Sequence, residues 1–76
     1  MNLIQLTNKA VDWLATKSRE TSTRPLTYTP TEIAHALGDA PTSVGRVANE
    51  VCIRLNGLGI LATYNNSTKP CKFIIK

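Results

Sequence analysis

Few side chains in this sequence could carry chemistry, and their spacing decides which kind is open to them. Cys52, Cys71 and His35 are the only thiols and the only imidazole. A structural zinc site needs four such ligands, usually in close pairs, and these three residues cannot supply it. The carboxylates Asp12, Glu20, Glu32, Asp39 and Glu50 make no paired motif, no Cys–His spacing supports a nucleophile, and the glycines form no phosphate loop. The expectation is a protein that is not an enzyme and uses neither metal nor cofactor. What remains is hydrogen-bonding and cationic. Residues 1–40 balance Lys9, Lys17, Arg19 and Arg24 against Asp12, Glu20, Glu32 and Asp39. Residues 41–76 set Arg46, Arg54, Lys69, Lys72 and Lys76 against Glu50 alone, so the whole formal charge of +4 falls there. A polyanionic partner is the natural inference from that placement. A basic surface that merely aids solubility would read the same way on charge alone.

These residues must be positioned by a small body. A chain of 76 residues supports one modest core, and 42% apolar content suits a globular fold, so a single domain over residues 1–76 is expected. The longest apolar runs, such as Phe73-Ile74-Ile75, fall far short of the ~20 residues of a membrane span. Met1 to Leu6 lacks the basic start and apolar block of a signal peptide. The expected location is cytoplasmic, with the nucleoid, or a host cytoplasm for a viral protein, as variants. Two cysteines are too few for a secreted disulfide framework, so both are read as reduced and packed. A disulfide between them stays open.

Leu3, Leu6, Ala10, Val11 and Leu14 recur at helical spacing and predict a first helix over about 2–17, with Ile4 and Trp13 widening its stripe. Residues 18–25 form a polar connector ending at Pro25. Leu26-Thr27-Tyr28 is β-prone and predicts a short strand. Thr29, Pro30 and Glu32 then offer a cap, a first-turn proline and a capping box for a second helix over about 30–37. Gly38 can close it in the left-handed conformation. Val44, Val47, Ala48, Val51 and Leu55 share one face of a third helix over about 42–56. Ile60–Tyr64 and Cys71–Ile75, joined by the polar loop Asn65–Pro70, read as a β-hairpin.

This order of elements resembles the winged helix-turn-helix family, and the similarity reaches particular residues. Glu32-Ile33-Ala34-His35-Ala36-Leu37-Gly38 looks like the family's second helix, Val44-Gly45-Arg46-Val47 like the start of its third, and Gly59-Ile60-Leu61 like the step into its first wing strand. The resemblance covers roughly residues 26–76. It implies an α+β fold: a three-helix bundle with a C-terminal two-stranded β-hairpin wing over about 60–75 and a short strand before helix 2. One departure is informative. Val44 and Gly59 are fifteen positions apart where the commonest versions have about eleven, a surplus close to one helical turn. A third helix one turn longer than usual, or an extra turn at its end, is expected.

The resemblance implies binding of double-stranded DNA by a small transcriptional regulator, with the start of the third helix in the major groove. Arg46 could then donate two bonds to guanine, and Asn49, three positions on, could pair with adenine. Thr42 and Ser43, near the helix start, suit a phosphate, as does Thr31 near the start of the second helix. Arg54 adds a cation further along. Asn65, Asn66, Ser67, Thr68, Lys69 and Lys72 equip the wing for a phosphate ridge or minor groove. Glu50 could accept from cytosine or pair with Arg46 or Arg54, and the pairing role is preferred. Gly45 could admit the DNA backbone or the second helix. His35 is read as a surface residue, and Tyr28 and Tyr64 as packing residues with wet hydroxyls.

A homodimer is expected, because one short domain contacts few bases and two half-sites multiply specificity. Ile4, Trp13, Ile53 and Ile74 are the candidate contacts. The competing reading is a protein-interaction module, such as a viral or accessory factor binding a host protein without DNA, since fold does not fix function.

Overall fold

The computed structural model describes residues 2–67 and 69–76. Helix α1 spans Leu3–Glu20 and begins with a full capping box: Asn2 accepts from the Gln5 amide and Gln5 accepts from the Asn2 amide. It runs three residues beyond the predicted end at Lys17. Arg24 supports that end: its guanidinium donates to the Ser18 carbonyl in the last turn and to the Thr21 and Thr23 carbonyls just beyond it.

Strand β1 (Leu26–Tyr28) leads into α2 (Pro30–Leu37), whose predicted bounds hold. Thr29 caps the Glu32 amide at 3.2 Å, Glu32 returns the bond to the Thr29 amide at 3.0 Å, and Pro30 opens the first turn. Gly38 ends the helix at φ 73°, a left-handed conformation that only glycine adopts without strain.

The third predicted helix is not continuous. It divides into α3 (Pro41–Arg46) and α4 (Ala48–Gly57) at Val47, which sits at φ −99°, ψ 5°. The Val47 amide bonds to the Val44 carbonyl, a tightened three-residue turn, and the regular ladder resumes when the Val51 amide bonds to the Val47 carbonyl at 2.9 Å. The single third helix expected over about 42–56 is therefore corrected to two segments. Val44 and Val47 both stay buried, so the apolar face is kept across the break.

Strands β2 (Ala62–Asn65) and β3 (Lys72–Ile75) form the predicted hairpin, with the paired residues starting at Ala62 rather than Ile60. The short first strand joins them, giving an antiparallel sheet in the order β1-β3-β2. Alternation sends Ala62, Phe73 and Ile75 inward onto α1, α2 and α4. Phe73, Leu6, Leu14, Ile33 and Leu55 are fully buried, each worth roughly 1.5–3 kcal/mol of transfer free energy. The architecture is α+β, with four helical segments packed on one face of a three-stranded sheet. Among the described residues no helix is long and apolar enough to cross a membrane.

Candidate nucleic-acid interface

Three elements converge on one open cleft of about 290 Å³. The start of α2 supplies Thr29, Pro30 and Thr31, α3 supplies Pro41, Thr42 and Gly45, and the hairpin supplies Tyr64, Pro70 and Cys71. Each is there for a local reason. The capping box fixes Thr29 and Thr31 at the start of α2. Pro41 begins α3 and turns Thr42 to solvent, while Val44 holds the inner side. Strand alternation places Tyr64 opposite Phe73, and the two rings meet at 4.8 Å. The Tyr64 hydroxyl lies 3.7 Å from where a Cβ at Gly45 would stand. The close neighbour of Gly45 is thus the hairpin, and neither alternative weighed from sequence named it.

Arg46 lies one turn after Thr42 on α3, and both are exposed. Asn49 is exposed too, but beyond the break and on α4, so helical spacing alone no longer puts it on one face with Arg46. Ser43 is half-buried beside the core. Arg54 is drawn elsewhere: it bonds Glu50 at 3.4 Å and also the Asn8 side chain on α1. That geometry assigns Glu50 its pairing role, with Arg54 as partner, and directs Arg54 toward α1 instead of the cleft. Asn66 and Ser67 are exposed in the loop, with Ser67 turned back to donate to Asn65 at 2.8 Å. Lys69 is exposed at the cleft's rim and reaches the Cys71 sulfur at 3.5 Å. Lys72 projects on the opposite face of the hairpin, since it alternates with Phe73. Thr68 lies outside the described residues. Among those described, Arg46, Lys69 and Lys72 make no ion pair.

Three groups here titrate away from their ordinary values. The Tyr64 hydroxyl first, and then the Lys69 ammonium, pull the Cys71 thiol below the usual thiol range. Burial, followed by the neighbouring Cys71, pushes Tyr64 upward, so its phenol keeps its proton at neutral pH and can donate. Burial pushes the Cys52 thiol up. Both cysteines are free, Cys52 packed as expected and Cys71 half-buried in the cleft wall.

Sequence reasoning missed Tyr64 and Cys71 as cleft residues. The period-two alternation that sends Phe73 and Ile75 inward also turns Cys71 to that side, and this signal was present in the sequence. Trp13 is occupied internally: it meets Tyr28 edge-on at 4.8 Å and carries Lys17 over its ring at 5.4 Å. Of the candidate dimer contacts, Ile4 (71%) and Ile53 (65%) are exposed, and Trp13 and Ile74 are half-buried. Neither family models, curated proteins nor solved structures yield a match to this chain.

Proposed function

We propose that this chain is a winged helix-turn-helix domain that binds double-stranded DNA and regulates transcription. In this reading α2 and α3 form the helix-turn-helix, and the β2–β3 hairpin is the wing. One observation carries it: an exposed Thr42–Arg46 edge of α3 flanks a cleft whose other walls are a helix start and a cation-tipped hairpin. Such a groove suits a phosphate ridge, with Thr31, Thr42 and Tyr64 as donors and Lys69 as counter-charge. Arg46 then reads a base edge from the short helix beside it, with guanine as the matching partner. Asn49, exposed in the first turn of α4, is the second reader in this proposal, with adenine as its matching partner. Ser43 is half-buried and its amide is bonded to the Ala40 carbonyl, so it offers the groove its hydroxyl alone; Asn66 and Ser67 flank the strand that the wing follows, and Lys72, on the opposite face of the hairpin, is left out. Arg54, held by Glu50 and Asn8, is left out of the contact set.

The test is the salt dependence of binding to mixed-sequence duplex DNA. Affinity should fall linearly on a log–log plot, with a slope of about −0.9 for each phosphate contacted. No binding at low salt would remove DNA as the partner.

A further inference from the structure

The face of the sheet turned away from the cleft has a character of its own. Strand alternation places Thr27, Ile74 and Thr63 in one row across it, with Lys72 beside Asn65 on one side and Lys76 beside Leu61 on the other. The Lys76 amide donates to the Leu61 carbonyl at 2.9 Å, one bond beyond the paired residues, which keeps these two residues side by side. A shallow depression of about 470 Å³ opens there, walled by Arg24, Pro25, Ile74 and Lys76, and its surface is almost wholly apolar. Leu61 is 62% exposed next to it. The three strands contain no acidic side chain, and among the described residues Arg24, Lys72 and Lys76 form no ion pair. The guanidinium of Arg24 is held in place by the Ser18, Thr21 and Thr23 carbonyls and the Ser18 hydroxyl, none of which is a carboxylate.

We infer that this outer sheet face is a docking surface for an acidic amphipathic segment of another protein. Apolar side chains of the segment cover Pro25, Ile74 and Leu61, and its carboxylates meet Arg24, Lys72 and Lys76. Charge complementarity selects this occupant. A second copy of the chain would bring three cations against three. A nucleic acid would satisfy the cations, and the Thr27 and Thr63 hydroxyls could donate to its phosphates, but it would leave Pro25, Ile74 and Leu61 uncovered. An apolar floor with a cationic rim matches a partner carrying both apolar and anionic groups. The surface is independent of the DNA-binding reading, because it lies on the other face of the hairpin.

The experiment follows backbone amide shifts of the folded chain during titration with a short synthetic peptide of alternating glutamate and leucine. Shifts should move at Thr27, Leu61, Thr63, Ile74 and Lys76, and a peptide with lysine in place of glutamate should move none of them. A variant carrying Leu61→Asp and Lys76→Glu, its fold verified by circular dichroism, should bind the first peptide at least about tenfold more weakly, as expected when close opposing charges are reversed. DNA binding through Arg46 should persist in that variant if the chain binds DNA at all. The inference is overturned if the peptide leaves these amides unmoved or binds the variant as well as the parent. It is equally overturned if duplex DNA moves the same amides, or if the parent chain self-associates through them.

Discussion

Arg46 stands on the exposed side of α3 with no carboxylate partner among the described residues, while Lys69 sits at the tip of the hairpin. The two should therefore fail differently. Arg46→Ala should cost roughly 1–3 kcal/mol of DNA affinity and relax preference at one base pair. Lys69→Ala should weaken all sequences alike and lower the salt slope by about 1. Binding to a randomised duplex pool distinguishes them, and equal effects of the two changes would end the division into reader and anchor. The thiols offer a second residue-level check. Tyr64 and Lys69 favour the thiolate of Cys71, whereas burial opposes that of Cys52. A lowered value means that thiolate persists as pH falls, and thiolate is the form that reacts. Iodoacetamide at neutral pH should alkylate Cys71 well before Cys52, and Lys69→Ala should slow it. Faster labelling of Cys52 in the native protein would contradict the cleft geometry. Arg46, Thr42 and Lys69 could be singled out from sequence because charge and helical phase are local properties. The diversion of Arg54 could not, since its Asn8 partner lies on another helix.

At the scale of elements, the capping box at Thr29–Glu32 and the glycine stop at Gly38 were legible because both signals are contained in one short segment. The break at Val47 was hidden for the opposite reason: Val44, Val47, Ala48, Val51 and Leu55 keep one helical phase through it, so periodicity cannot see it. The pairing of β1 with β3 was likewise invisible, because it depends on contacts between residues far apart in the chain. Asn56 has a tertiary role that helical periodicity also conceals. Its side chain donates to the Cys52 carbonyl at 2.7 Å and to the Ala62 carbonyl at 3.0 Å, and accepts from the Ala62 amide. It ties the end of α4 to the first hairpin strand, and so sets where the hairpin stands relative to the helices. Asn56→Ala should destabilise the fold by about 1–3 kcal/mol, because it strands partly buried backbone groups without partners. Urea unfolding measures this, and an unchanged midpoint would show the tie to be incidental.

The whole molecule measures 29 × 25 × 19 Å. Its longest dimension is shorter than one DNA turn of about 34–36 Å, so a single copy on a duplex covers one half-site at most. This is the scale at which the expected dimer has its physical reason, and Ile4 and Ile53 are the exposed apolar residues left to test for it. The two faces of the hairpin divide the chain's basic charge, Lys69 on the cleft side and Lys72 and Lys76 on the outer side. A net positive charge therefore does not by itself say which face meets a polyanion. Mapping amide shifts on addition of a short mixed-sequence duplex does. The account predicts movement concentrated at Thr31, Thr42 to Arg46, Tyr64 and Asn66 to Lys69, with Thr27, Ile74 and Lys76 still. Movement confined to the outer sheet face, or no movement at low salt, would contradict it.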